Sequence, residues 1–272
     1  MHNLYIPKLV RVIKIVEQTP DIKLFTFEFI ERKNRINFAF NHGQFLMLGL
    51  LNHGEAAFDI CSSASQTKTF DLAIRKVGTL TTKLHELNVG DQATVRGPFG
   101  NGLPEKMTQG KDLLLVGGGS GFIVMRSIVL DFLAGKLPAN KVNVFYGCQD
   151  EHNLLFKREF CQWQKKVGLD VVLASPSKKW KGPTGVITVL FNKKQDFANT
   201  VALVVGPPVM YRPVIENLKK QGVKDEDIYI SLERKMYCGV GVCQHCAIGP
   251  YYVCKDGPIF SWAQLKDIPG TV

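Results

Sequence analysis

The sequence predicts a chain of two fold classes, α/β plus all-β: an antiparallel barrel over residues 1–103, a parallel-sheet domain over 108–228, and a short cysteine-rich segment over 229–272. Three observations carry this division. The first hundred residues are mostly short β-branched and aromatic runs broken by turn residues. From about residue 111 apolar strands alternate with helical stretches, the rhythm of a parallel sheet with right-handed crossovers. Four of the seven cysteines then fall between positions 238 and 254.

In the first region the strand candidates are LVRVIKIV (9–16), IKLFTFEFI (22–30), QFLMLGL (44–50), FDLAIRKV (70–77) and DQATVRG (91–97). Thr-Pro, Asn-His-Gly and Val-Gly-Asp turns punctuate them, and one helix, Thr81 to Leu87, interrupts them. The breaker-rich stretch from Gly97 to Pro104 marks the first boundary. The second region reads as strand 111–117, helix 121–134, strand 141–147, helix 153–166 and strand 169–175. A short helix over 185–192, strand 200–206, helix 209–221 and strand 227–233 complete it. No room remains after residue 233 for another core of its own, and no internal repeat is visible.

The chain has 272 residues, 45% hydrophobic and 21% charged, which is enough for sizeable cores and ordinary for a globular protein. Its longest apolar runs fall far short of the roughly 18 residues of a membrane span. The first residues lack a basic segment followed by an uninterrupted apolar core, so no secretory signal is expected and the predicted location is cytoplasmic. The net charge of +10 is spread along the chain in short pairs such as Lys178-Lys179 and Lys193-Lys194, a solvated basic surface rather than a nucleic-acid-binding tract. Seven cysteines in such a chain are not expected to form a disulfide framework.

The sharpest motif is Cys238-Gly-Val-Gly-Val-Cys243-Gln-His-Cys246, followed by Cys254. Its C-x4-C-x2-C opening has the spacing of plant-type [2Fe-2S] ligands, in which a loop of small residues wraps the cluster and backbone N–H groups point at the sulfurs. Gly239, Gly241 and Ala247 supply the compactness, while Cys254 lies closer than in plant-type ferredoxins. Four thiolates equally satisfy a tetrahedral Zn2+ ion, so the spacing by itself leaves both metals open.

The second motif is the strand Leu113 to Val116 running into Gly117, Gly118, Gly119, Ser120 and Gly121 and then a helix. Glycine lets a backbone approach a pyrophosphate, and the helix start offers unpaired N–H groups. It is not a full G-x-G-x-x-G, since Val124 takes the last slot; a tight turn under no ligand constraint is the alternative. Val205-Gly206-Pro207-Pro208 ends a later strand on the same side, and two such edges can floor one nucleotide groove. A third motif, Arg75-Lys-Val-Gly78-Thr-Leu80-Thr81, ends a strand and opens a helix with hydroxyls. Thr81 reads there as an N-cap, compatible with a phosphate at the same helix start, and Arg75 is placed to stack on or neutralise a flavin. His2, His42, His53, His85, His152 and His245 show no metal-ligand spacing, and no nucleophile elbow or P-loop lysine is present.

Barrel, glycine-rich domain and cysteine loop, in that order, resemble the ferredoxin-NADP reductase-like flavoproteins with a C-terminal [2Fe-2S] cluster. These include the electron-transfer subunit of dihydroorotate dehydrogenase, the corresponding subunit of anaerobic sulfite reductase, and the gamma subunits of sulfhydrogenases and related NiFe hydrogenases. Val205-Gly-Pro-Pro-Val-Met210, Glu233-Arg-Lys-Met-Tyr-Cys238 and Tyr252-Val-Cys-Lys-Asp-Gly-Pro-Ile-Phe260 fit the last two groups best. The resemblance implies FAD, a [2Fe-2S] cluster on Cys238, Cys243, Cys246 and Cys254, and NAD(P)H as substrate. Its flavin-binding R-x-Y-S falls on Ala56-Ala57-Phe58-Asp59, where the arginine is absent. Its next flavin segment falls on Ala73, Ile74, Arg75, Gly78, Leu80 and Thr81. Its G-G-x-G falls on Gly118, Gly119 and Gly121, and its C-G-P-P on Val205, Gly206, Pro207 and Pro208 with the cysteine replaced.

The same resemblance implies a diaphorase-type subunit. A nicotinamide delivers two electrons as hydride, a [2Fe-2S] centre takes one, and FAD handles both. Nothing else in the chain could reduce a terminal substrate, so catalytic and iron-sulfur partner subunits are expected, such as those of a hydrogenase or a sulfur or sulfite reductase. A free-standing flavin reductase and a zinc-stabilised nucleotide-binding module are the alternatives. Asp150 and Glu151 favour NAD(H), and Lys157 and Arg158 weigh toward NADP(H).

Overall fold

The computed structural model describes residues 3–66, 68–104, 107–192 and 197–272. His2 and the Lys193-Lys194 pair lie outside the described residues. The chain forms two compact units: residues 1–103 with 233–258, and residues 104–232 with 259–272.

The first unit holds a six-stranded antiparallel sheet of β1 (Lys8–Thr19), β2 (Ile22–Phe29), β3 (Phe45–Leu50), β4 (Gly54–Asp59), β5 (Phe70–Arg75) and β6 (Gln92–Phe99). Their spatial order is β4-β3-β6-β1-β2-β5. An isolated antiparallel bridge from Ile60 to Leu72, supported by the Cys61 N–H donating to the Asp71 carbonyl at 3.0 Å, joins the two edges into a barrel. Strand alternation sends Val10, Val12, Phe25, Phe27 and Phe29 inward, where Phe29, Phe38 and Phe70 pack as tilted rings with centroids 4.9–5.4 Å apart.

Two elements of this unit escape the sequence patterns. β4 has Gly, Glu and two Ala, poor strand formers, and is made by its six-residue pairing with β3. α1 (Arg32–Asn37) buries no residue and has no side-chain cap; the Arg35 guanidinium holds it to the barrel by donating to the Phe29 carbonyl at 3.0 and 3.2 Å. α2 spans Thr79–His85 and begins two residues before the predicted helix.

The second unit holds β7 (Asp112–Gly118), β8 (Lys141–Cys148), β9 (Gly168–Leu173), β10 (Thr200–Val205), β11 (Ile228–Ser231) and, near the C-terminus, β14 (Ile259–Ser261). Their order is β14-β11-β10-β7-β8-β9; the five earlier strands are parallel and β14 adds an antiparallel edge. β10 is buried along its whole length, as a central parallel strand requires. α3 (Phe122–Leu133) buries six apolar residues together with Arg126, Ser127 and Asp131, and Phe122 is stacked on Tyr146 at 3.9 Å. α5 (Pro208–Lys220) begins with proline at its first position, where the missing N–H has no partner to lose.

The predicted helix over 153–166 is a correction. Only α4 (Phe160–Trp163) is α-helical, preceded by short 3-10 turns at 151–153 and 157–159. Phe156 takes a left-handed φ of 55°, and the Tyr146 hydroxyl accepts from the Leu155 N–H at 3.2 Å and donates to the Asn153 carbonyl at 3.3 Å. A side chain from β8 thus uses the backbone groups that a helix would pair, and Leu154, Leu155 and Phe156 sink into the core instead. The predicted helix over 185–192 is likewise a 3-10 turn, Ile187–Phe191.

Candidate cofactor sites

The four clustered cysteines sit in the first unit, on a loop without regular structure until β12 (Ala247–Ile248) and β13 (Tyr251–Tyr252) form a minimal hairpin. That hairpin turns the chain back, so Cys254, at the start of α6 (Val253–Asp256), returns beside Cys246; the Val253 N–H donates to the Cys246 carbonyl at 3.1 Å. Upstream, Gly239 and Gly241 have φ of 77° and 75°, and a Cβ on Gly239 would meet the Phe99 ring at 2.9 Å. Side chains at these two positions would strain or displace the wrap.

The N–H groups of Val240, Val242 and Cys243 point at the Cys238 sulfur at 3.4–3.5 Å, and that of Gly241 at the Cys254 sulfur at 3.1 Å. Burial works against the Cys238 thiolate, but these N–H groups hold its pKa below the ordinary thiol value. The His245 N–H does the same for Cys243. Burial and the neighbouring Cys246 instead push Cys254 up to about 12.

Cys238 interacts with Cys243, and Cys254 with both Cys246 and Cys238. Among the described residues no three His, Cys, Asp or Glu side chains converge as they must around one metal ion. Thiols gathered on one loop of small residues, with backbone N–H groups pointed at their sulfurs, suit an iron-sulfur cluster. Cys238 and Cys243 are partly exposed, while Cys246 and Cys254 are each 1% exposed.

Arg96, absent from any motif, anchors this loop. Its buried guanidinium donates to the Tyr237 and Cys238 carbonyls at 3.4 and 3.0 Å and to the Leu4 carbonyl at 3.3 Å, and is paired with Glu55. No local pattern could mark it, because its partners on the loop lie about 140 residues further along the chain.

On the barrel, Phe58 and Asp59 end β4, and Ala73, Ile74 and Arg75 end β5 before the turn at Gly78. Arg75 is committed to Asp21, with Nε 2.6 Å from the carboxylate. Burial opposes Asp21 ionisation, yet Arg75 and Thr19 hold its carboxyl below the usual range. Thr81 is not the N-cap: Gly78 takes that place, and the Thr81 hydroxyl reaches back to accept from the Val77 and Gly78 N–H groups, both at 2.9 Å. Leu80, in the first turn, completes the segment. Asp59, half-buried, carries a carboxyl that burial and nearby Glu233 push up to about 7. No motif foretold that pairing.

In the second unit the two glycine edges meet. Gly118 and Gly119 end β7 and turn, Gly121 caps α3, and a Cβ on Gly121 would lie 2.5 Å from the Val205 carbonyl oxygen. A Cβ on Gly118 would strike Met210 and Pro207, and one on Gly206 would lie 3.2 Å from the Gly118 Cα. Pro207 and Pro208 then launch α5. These turns fall between β7 and β10, where the strand order reverses, the place at which open parallel sheets bind ligands. A 3-10 turn, Gly119–Gly121, leads into α3, whose start has no side-chain cap, and the Phe122 N–H donates to the Gly119 and Ser120 carbonyls. Nearby, the Asp150 carboxylate accepts from the His152 and Asn153 N–H groups, and Glu151 accepts from Ser177.

Three domain families match the chain in succession: an oxidoreductase FAD-binding domain at 9–102, an oxidoreductase NAD-binding domain at 115–215, and the iron-sulfur cluster binding domain of dihydroorotate dehydrogenase B at 233–266. The sulfhydrogenase 2 subunit gamma of Pyrococcus furiosus is 37% identical over 96% of this chain and 97% of its own length. The chain belongs to this flavin and iron-sulfur family of oxidoreductase subunits. Its members include a probable dihydroorotate dehydrogenase B electron transfer subunit of Pyrococcus horikoshii, 34% identical over 92% of this chain and 88% of its own length. The fold is shared with the NADH-dependent reduced ferredoxin-NADP oxidoreductase, with a TM-score of 0.75 at 22% identity over 94% of this chain and 91% of that one. It is also shared with the cytochrome b5 reductase domain of Ulva prolifera nitrate reductase, at 0.68 and 19% over 84% and 98%. FAD, an iron-sulfur cluster and NAD(P)H are the cofactors and substrate of the domains this family combines.

Proposed function

We propose that the chain is the electron-transfer subunit of a multi-subunit oxidoreductase, working between NAD(P)H and a catalytic partner such as a hydrogenase or a sulfur or sulfite reductase. The observation that carries the reading is a four-cysteine loop with backbone N–H groups pointed at its sulfurs, in one chain with a flavin-type barrel and a switch-point glycine crevice. FAD, when bound, supplies the conversion between a two-electron hydride and the single electrons carried by a [2Fe-2S] cluster.

The chain's own residues bind and orient. Gly118, Gly119, Gly121 and Gly206, with Pro207 and Pro208, floor the dinucleotide site: the first three let the backbone reach the phosphates, and the start of α3 offers them N–H groups. Phe58, Ala73, Ile74, Gly78 and Leu80 line the flavin segment, with Thr81 fixing the Val77–Gly78 turn and Arg75 held in place by Asp21. Asp59, whose carboxyl keeps a proton up to about pH 7, holds that proton at the end of β4 beside this segment. Cys238, Cys243, Cys246 and Cys254 ligate the cluster, and the N–H canopy offsets its negative charge. Asp150 and Glu151 follow β8, where a ribose would be bound; with Asp150 engaged in its own turn and Glu151 by Ser177, they leave the choice between NAD(H) and NADP(H) to the pocket as a whole. No helix of the described residues is long and apolar enough to cross a membrane, and we place the chain in the cytoplasm.

The test is anaerobic purification with visible spectrum and iron, zinc and flavin content, before and after NADH. About two irons and one FAD per chain, bleached by NADH, are expected. One zinc and no flavin would overturn the reading in favour of a structural nucleotide-binding subunit.

A further inference from the structure

A neutral donor could fasten the cysteine loop as Arg96 does, yet the chain buries a full charge there. One flank of the guanidinium fork, Nε and Nη2, is taken by the Glu55 carboxylate, with Nε donating at 3.0 Å. The other terminal nitrogen, Nη1, donates to the Cys238 carbonyl at 3.0 Å and to the Leu4 carbonyl at 3.3 Å. The guanidinium therefore stands between Glu55 and the first cysteine of the loop, and its rigid fork keeps it in that place. Its carbon lies 5.6 Å from the centre of the Phe99 ring, and the same ring packs on Gly239, where an added Cβ would meet it at 2.9 Å.

The two charges are screened unequally. The Arg96 side chain is 6% exposed and that of Glu55 32%, so water damps the field of the carboxylate more than that of the guanidinium. Nearer and drier, the positive charge prevails at Cys238. Lys235 and Lys255, on the same loop, are exposed and act more weakly through water. Reduction of an iron-sulfur cluster by one electron adds one negative charge, and net charge, hydrogen bonds to the sulfurs and solvent exposure set the potential at which it occurs. A buried positive charge bonded to the carbonyl of a ligand residue favours the reduced form.

We propose that Arg96 raises the reduction potential of the cluster held by this loop, and that Glu55, its partly screened counter-charge, moderates the rise. Arg96 acts through the loop it holds, as a positioning residue, by charge as well as by hydrogen bonds. The proposal rests on the electron-transfer reading, in which the four cysteines carry an iron-sulfur cluster, and adds which charges of the chain fix its potential.

The experiment is a redox titration of the full chain, isolated anaerobically with its iron and flavin, read by electron paramagnetic resonance for the cluster and by visible absorbance for the flavin. Glu55→Gln, Arg96→Gln and Arg96→Lys are compared with the unmodified chain. Glu55→Gln keeps an acceptor for the guanidinium and removes the counter-charge. It is expected to retain iron and flavin and to raise the cluster midpoint while the flavin midpoint stays in place. Arg96→Gln is expected to lower the cluster midpoint, and Arg96→Lys, with the charge but not the fork, to lower it less. An arginine that only fastened the loop would give no rise in Glu55→Gln, so opposite shifts from opposite charges are the signature. Where Arg96→Gln loses its iron, Glu55→Gln decides by itself. A cluster midpoint unchanged or lowered in Glu55→Gln, or a flavin midpoint that moves equally with it, would overturn the proposal alone. An unmodified chain carrying zinc and no iron would instead overturn the electron-transfer reading, and this proposal with it.

Discussion

Asp59 is a carboxyl in a position where ionisation is unfavourable, because burial and then the charge of Glu233 raise it to about 7. In the unfolded chain it titrates near its ordinary value, so between the two the folded state binds the extra proton and stability falls as pH rises through that window. With solvent reaching its accessible edge, the decline is about 1–2 kcal/mol between pH 5 and pH 8. Asp59→Asn should remove that decline, read as the urea midpoint of flavin-free protein at the two pH values. The same comparison with flavin bound tests whether the cofactor feels the proton. Gly121 is a second position governed by one atom. The Val205 carbonyl oxygen 2.5 Å from its missing Cβ is backbone and cannot swing aside, so Gly121→Ala should destabilise by about 1–3 kcal/mol and weaken NADH binding. Denaturant unfolding and an equilibrium titration with NADH measure the two effects separately.

The cysteine loop works as an element because a hairpin and an arginine close it. β12 and β13 have two residues each, yet they let seven intervening residues bring Cys254 back to Cys246. Cys254→Ser should therefore leave flavin bound and reduce iron content sharply, as an iron assay beside the flavin absorbance would show. Arg96→Leu removes the guanidinium from Glu55 and from three carbonyls in a buried setting, which typically costs about 3–5 kcal/mol. Beyond lower stability it should quicken loss of iron to a chelator, while Arg96→Lys, with the charge but not the fork, recovers part of the difference. The α3 turn shows the same logic in the other unit. Its glycines serve as one device only because β10 ends against them.

Taken whole, the chain combines a closed antiparallel barrel with the cysteine loop in one unit and a six-stranded, mostly parallel sheet in the other. The cysteine loop does not have a core of its own: it leans on Phe99 and Arg96 of the barrel, so its cluster and the barrel's cohesion are expected to be lost together on heating. Following the iron-sulfur absorbance and the far-ultraviolet circular dichroism in one thermal scan checks this, since separate transitions would show that the loop unfolds independently. The affiliation with sulfhydrogenase gamma subunits, at 37% identity over 96% of the chain, makes a larger assembly the natural setting for that unit.

Much of this was legible along the chain, because it depends on neighbours a few residues apart. The strands of the barrel, the alternation of the second sheet, the C-x4-C-x2-C spacing and the glycine turns are local periodicities, and each appears where its pattern lies. Spacing alone left iron and zinc open, since it counts thiols without arranging them, and the family resemblance chose iron. Tertiary structure decided the placement of the thiols, by folding a hairpin between the third and fourth and by pointing backbone N–H groups at the Cys238 and Cys254 sulfurs. It also decided what depends on distant partners: β4, a strand by pairing rather than propensity; the broken helix after residue 153, whose backbone groups Tyr146 takes; Thr81, turned from a cap into a brace; the Asp59–Glu233 proximity; and Arg96, whose role rests on carbonyls some 140 residues away. A sequence displays which groups a segment contains, but burial and hydrogen-bond competition are settled only when remote segments arrive to cover or claim them.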